Sequence, residues 1–136
     1  MRKKKPKYPA GVAVKRARAG LGLFATRPYR KGERIIEYFG RTISREEEYT
    51  SRSKYLFEVN ARKTIDGATR ANVARYINHS CRPNCIPEIR SGRVFIEALR
   101  RIRPGEEFAY DYGDEYFDEH IKPKGCRCEK CRSSPH

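Results

Sequence analysis

Turn-forming residues interrupt this chain roughly every ten positions, which limits it to short segments and rules out long helices as its framework. GVAVKRA (11–17) alternates apolar and polar residues as a half-buried strand does. The two glycines of AGLGLFAT then predict a tight turn of close backbone approach. RKG at 30–32 is a further turn, and RIIEYFGRTI (34–43) is β-branched and aromatic enough to form one strand. Ser44 with Glu47 three residues on makes a capping box, so SREEEYTSRSK is expected to open a short helix. YLFEVN (55–60) and KTI (63–65) read as hairpin strands, with Asp66-Gly67 as the next turn. ATRANVARYINH holds one or two helical turns, RVFIEAL (93–99) is strand, Pro104-Gly105 turns the chain, and EFAYDY (107–112) is strand again. The pattern points to a β-rich fold, α+β by strict count, closed from small sheets with few short helices. It contains no internal repeat.

A chain of 136 residues supports one domain with tails. Nine Tyr and six Phe give it large rigid groups to bury, which excludes wholesale disorder although 35% of residues are charged. The formal net charge of +14 is divided unevenly: residues 1–30 hold ten Lys or Arg and no acid, while 104–119 hold seven acids and no Lys or Arg. MRKKKPKYP reads either as a solvated arm or as a nucleic-acid or chromatin contact. The acidic run FAYDYGDEYFDE is dense in aromatics and suits a basic, lysine-containing partner. No apolar run approaches the roughly 20 residues needed to span a bilayer, and the N-terminus lacks an apolar signal region, so an intracellular protein with no membrane partner is expected. Oligomeric state is not set by these features.

Five cysteines, three of them crowded into GCRCEKC, suit metal thiolates in a reducing compartment better than disulfides. Cys126, Cys128 and Cys131 supply three soft ligands for one structural Zn²⁺, and tetrahedral zinc needs a fourth from among Cys81, Cys85, His79, His120 and His136. His79 and Cys81 could suggest a nucleophile with its base, but two positions apart in an extended segment they are expected to face away from each other, which disfavours thiol catalysis. Asn78, His79, Ser80 and Asn84 then read as a hydrogen-bonded polar knot in a buried loop. AGLGLFA lacks the third glycine and the following helix of a dinucleotide fingerprint, so a phosphate cradle is not expected there. Tyr110 and Tyr112 share one strand face beside the acids, and with Tyr38 they could line a channel.

Taken in order, AGLGLFA, EYFG, IDGATRANVARYINHSCRPNC, PGEEFAYDYG and CRCEKC resemble the SET-domain family of protein-lysine methyltransferases with a short post-SET zinc tail. The resemblance runs from about Val12 to Cys131, and its most specific part is the Asn-His-Ser-Cys motif followed after a strand by Tyr-Asp-Tyr. It implies small curled sheets, a threaded pseudoknot, a SET domain over 11–113, a basic arm over 1–10 and a zinc-binding tail over 114–136.

The same resemblance implies that Gly20, Leu21, Gly22, Tyr55, Arg75, Asn78 and His79 bind S-adenosyl-L-methionine. It makes Tyr112 the catalytic tyrosine, Tyr110 the position limiting how many methyl groups fit, and Tyr38 a lysine-channel residue. Cys81 would join Cys126, Cys128 and Cys131 on zinc. Two positions depart from many family members: Leu21 replaces an aromatic, and Cys128 and Cys131 have two residues between them rather than four. The implied substrate is lysine in a basic protein such as a histone, in the cytoplasm or in a nucleus or nucleoid. The competing readings are a zinc-containing nucleic-acid or chromatin module and a catalytically idle interaction domain.

Overall fold

A computed structural model describes residues 8–18 and 20–113. Most of the basic arm and the tail, with Cys126, Cys128 and Cys131, lie outside the described residues. The chain runs β1 (Val12–Ala17), β2 (Gly20–Ala25), β3 (Arg34–Tyr38), β4 (Arg41–Ile43), α1 (Arg45–Thr50), β5 (Leu56–Asn60), β6 (Lys63–Asp66), a 3₁₀ turn (Val73–Tyr76), β7 (Asn78–His79), β8 (Cys85–Arg90), β9 (Arg93–Ala98) and β10 (Ala109–Tyr110). These strands form four small sheets, paired β1-β2, β3-β9-β8, β4-β6-β5 and β7-β10. Only β7 and β10 run parallel, with Asn78 opposite Ala109 and His79 opposite Tyr110. The β-rich reading of the sequence therefore holds, as do the strands at 12–17, 56–60, 63–66 and 93–98.

Three local expectations change, and one strand is added. The glycines of AGLGLFAT do not make a turn; they lie in β2, which pairs along its whole length with β1 from Val12↔Ala25 to Ala17↔Gly20. Gly20 takes a φ of 107°, a conformation open to glycine, where the chain enters β2. The segment 34–43 is two strands, because Gly40 passes so close to the Asp66 carbonyl that a Cβ there would collide with it. EFAYDY contributes only a two-residue strand, since its pairing partner β7 is itself two residues long. Finally, CIPEIR forms β8, joined to β9 by Ser91 and Gly92, both with positive φ (51° and 74°), the two-residue turn that Ser-Gly between apolar strands signals.

The helix is short, as expected, and starts at its capping box: the Glu47 amide donates to Ser44 Oγ at 3.2 Å. Beneath the sheets, Leu23, Val94, Ile96, Ile102 and Phe108 are fully buried, and each such side chain contributes roughly 1.5–3 kcal/mol. Tyr29 meets Phe108 edge-to-face at 5.5 Å, closing the core under the segment that leads to β10. Cys85 belongs to this core; burial pushes its thiol pKa up to about 12, which makes it an inert packing group.

Asn84 fastens that segment. Its side chain is 5% exposed; Nδ2 donates to the Glu107 carbonyl at 2.8 Å and Oδ1 accepts from the Ala109 amide at 2.9 Å. Its own amide donates to the Ala109 carbonyl at 3.1 Å, and its carbonyl accepts from Leu99 at 2.8 Å. Asn84→Ala would leave two backbone groups of 107–109 without partners, each costing about 1–3 kcal/mol. Urea denaturation should show a loss of about 3 kcal/mol at unchanged slope; a loss below about 1 kcal/mol would remove Asn84 from this role.

Candidate active site

The pairing of β7 with β10 joins residues thirty positions apart and places the motif residues side by side. Asn78 reaches across to β2: its Nδ2 donates to the Leu21 carbonyl at 3.0 Å and to Glu107 Oε2 at 2.8 Å. Both protons of the amide are thus spent, which fixes its orientation and turns Oδ1 away from these partners. Glu107, which the motif reading left without a role, also packs against Gly22 so closely that a Cβ there would collide with its carboxylate. The sequence signal for it was the second Glu of PGEEFAYDY, in register with Phe24 of β2.

His79 takes the next position. Its side chain is nearly buried, and its Nδ1 accepts from the Tyr112 amide at 3.1 Å. An accepting Nδ1 leaves the proton of the neutral ring on Nε2, which lies 3.3 Å from Cys81 Sγ. His79 and Cys81 therefore face each other, and the expectation that they point apart is wrong: residues i and i+2 of an extended segment share a face. Burial lowers the His79 pKa below the usual imidazole range, opposed in part by the Asp111 carboxylate 3.9 Å from Nδ1. A neutral ring donating to sulfur orients Cys81.

Tyr112 completes the group. Its hydroxyl donates to the Ile77 carbonyl, its ring lies 5.4 Å from His79, and the Tyr110 ring is 4.8 Å away, so the two tyrosines do share a face. Tyr110 is buried and Tyr112 partly so. Tyr38, Tyr55 and Arg75 gather in a second group along the 3₁₀ turn. The Tyr38 hydroxyl donates to the Tyr55 carbonyl at 2.6 Å, and the Arg75 guanidinium stacks 4.4 Å over the Tyr55 ring. Arg75 Nε is buried with no hydrogen-bond partner among the described residues, an unsatisfied donor in a half-exposed position. Leu21, 51% exposed, stands at the edge of the first group. Among the described residues no cluster of three or more His, Cys, Asp or Glu could hold a metal by itself.

Such a site, two short parallel strands that bring an Asn-His pair under a tyrosine pair beside a glycine strand, defines an enzyme-like polar centre inside a β-rich shell. Residues 20–113 match the family model of the SET domain, and the chain belongs to that family. It is 39% identical, over 96% of its length, to histone-lysine N-methyltransferase trr of Drosophila melanogaster, of which it covers 6%. It is 36% identical, over 96% of its length, to histone-lysine N-methyltransferase 2D of Homo sapiens, of which it covers 3%. The crystal structure of the Chaetomium thermophilum polycomb repressive complex 2 contains a chain that superimposes with a TM-score of 0.68 at 30% identity, covering 76% of this chain and 15% of that one. The protein thus spans a small fraction of the curated relatives it matches.

The Asn78 orientation is testable directly. Glu107→Gln keeps an acceptor opposite Nδ2, whereas Glu107→Ala removes it. Asn78 side-chain amide protons should exchange on the order of tenfold faster in the alanine variant than in the glutamine variant, the equivalent of about 1.4 kcal/mol, the upper end for a hydrogen bond between neutral groups. Equal exchange would show that Leu21 alone holds the amide.

Proposed function

We propose that the protein transfers a methyl group from S-adenosyl-L-methionine to the side-chain amine of lysine in a basic protein of the histone class. The observation that carries this reading is the joint placement of Asn78 on the Leu21 carbonyl and of the Tyr112 hydroxyl on the Ile77 carbonyl, one residue before that Asn. On this reading the two contacts would set a methyl-donor side and an amine side against each other across one peptide. The 36–40% identity to histone-lysine methyltransferases supports the substrate class.

The methyl donor would lie along Gly20, Leu21 and Gly22, with Asn78, His79, Arg75 and Tyr55 around it, and would supply an electrophilic methyl on a sulfonium. The buried, unsatisfied Nε of Arg75 suits a polar ligand at this end of the group. Lysine has an unperturbed pKa of about 10.4 and must arrive neutral to act as nucleophile. Tyr38, Tyr110 and Tyr112 would give the amine aromatic walls that disfavour its charged form by desolvation, with water carrying the proton away. Tyr112, held by the Ile77 carbonyl, would align the reacting groups. Tyr110 would limit the space for added methyl groups through its hydroxyl. The acids Glu107 and Asp111 make the surroundings attractive to a basic peptide.

Cys81 would join Cys126, Cys128 and Cys131 around one structural Zn²⁺, with His79 as the hydrogen-bond partner that orients its sulfur. A histone substrate would place the protein with chromatin in a reducing compartment.

Tyr112→Phe removes the hydroxyl and keeps the ring. Transfer of labelled methyl from the donor to core histones should fall about a hundredfold, the scale of losing one aligned polar contact, while donor binding by calorimetry changes little. Transfer equal to wild type would sink the role of Tyr112. For the metal, wild type should contain one zinc per chain by atomic absorption. Cys81→Ser should lose most of it and show a lower melting temperature; full zinc retention would remove Cys81 from the ligand set.

A further inference from the structure

Away from this site, two segments joined by one backbone bridge bring a cluster of exposed cations to the surface. Tyr29 and Ile102 exchange both backbone hydrogen bonds, at 2.9 and 3.0 Å, and both side chains are fully buried. Because side chains alternate along paired backbone, the residues flanking these anchors must point outward: Arg30 on one segment, Arg101 and Arg103 on the other. All three are exposed, as are Lys31 and Arg100 beside them, and Arg27, Arg30, Lys31 and Arg101 line one open concavity.

The acids nearby are already engaged. Glu33 pairs with Arg27 at 2.7 Å and accepts the Arg30 amide, and Glu106 pairs with Arg100 at 3.1 Å and accepts the Arg103 amide. Arg30, Lys31, Arg101 and Arg103 make no ion pair among the described residues. Arg30, Arg101 and Arg103 flank one bridged pair with Lys31 next to Arg30, so their mutual repulsion is concentrated on one short stretch of surface. A ligand with repeated negative charge relieves it.

We propose that this face binds the phosphate backbone of duplex DNA. Alternate outward residues along paired backbone are spaced roughly 6.7 Å apart, which suits a charged polymer better than a single anion. Guanidinium groups supply most of the donors and match phosphate in a fork. A protein partner would call for an apolar anchor at the centre, and the one exposed large apolar side chain adjoining the cluster in sequence is Leu99, at its border. The face is also coupled to the site: the 22–33 and 102–109 segments pair at Phe24↔Glu107 and at Tyr29↔Ile102, five residues apart, a reach of no more than about 18 Å. DNA held there would keep a DNA-associated basic protein within tail's reach of Asn78 and Tyr112.

The test measures binding of the full chain to a short mixed-sequence DNA duplex, without methyl donor, so its outcome is independent of any transfer assay. One variant replaces Arg30, Lys31, Arg101 and Arg103 by Gln; a control replaces exposed Arg45, Arg52, Arg62 and Arg70 by Gln and removes the same charge elsewhere. Between roughly 50 and 200 mM salt the log–log slope of the cluster variant should be shallower by about 3 to 4 units, at about 0.9 per phosphate contact. Its low-salt affinity should drop at least about tenfold and that of the control under about threefold. Arg101→Gln with Arg103→Gln alone should shift the slope by about 2 units, which covers the case in which the fourfold variant fails to fold. Equal losses in the two fourfold variants, or no binding by wild type at low salt, would each overturn the proposal.

Discussion

The site depends on a buried amide. β10 is two residues long and pairs with a strand of the same length, which is too little ladder to fix the position of 107–112 against thermal motion. Asn84 supplies what the ladder lacks, clasping the backbone on either side of Phe108 with its side chain while its own backbone ties the same segment to β9. Phe108, between the two clasped groups, is driven into the core against Tyr29. Directional hydrogen bonds and non-directional burial thus act on three successive residues, and the two tyrosines that follow inherit their placement.

From there the chemistry of the site follows by proximity. Glu107 leaves the clasp pointing at Asn78, Ala109 and Tyr110 lie along β7, and the Tyr112 amide closes on His79 Nδ1. Each polar side chain in the group is oriented by a second one, so that functional atoms are presented in fixed directions at little reorganisation cost. The buried, neutral His79 acts as an orienting group between Tyr112 and Cys81, and that role leaves no thiol nucleophile to activate: its Nδ1 is committed to a backbone amide and its Nε2 proton faces the sulfur.

Much of this was legible from residue order, and the misses share a cause. Strands defined by alternation, such as 12–17 and 93–98, were readable because their pattern is local. So was the grouping of Asn78, Ser80 and Asn84 as a polar knot, because buried polar groups need partners; Ser80 Oγ, for instance, accepts from Arg82. Gly20 and Gly22 read as a turn because glycine weakens strands, whereas the structure uses Gly22 to let the Glu107 carboxylate approach. That approach comes from a segment 85 residues away and has no local signature. Glu107 itself stayed hidden for the same reason, and CIPEIR because its Pro demotes a strand that in fact pairs fully with β9. The opposition assigned to His79 and Cys81 was an error of parity in a period-two backbone.

The charge pattern acquires a physical arrangement once the fold is known. In the sequence, cations crowd residues 1–30 and acids residues 104–119, as if they belonged to separate regions. The fold pairs those regions: 22–33 meets 102–109 at two antiparallel bridges, so the acid Glu107 and the bases Arg101 and Arg103 sit on one segment, on either side of the Pro104-Gly105 turn. The Tyr29–Phe108 contact lies beneath that segment and stiffens it, and fully buried Ile102 anchors its basic end. Opposite charges held apart on a stiff element create a field gradient along the surface rather than a neutralised patch. A basic polypeptide and a polyanion approaching together would be sorted by that gradient, the peptide toward Asn78 and the anion toward Arg101, which is the order in which a protein packaged on nucleic acid presents its two components.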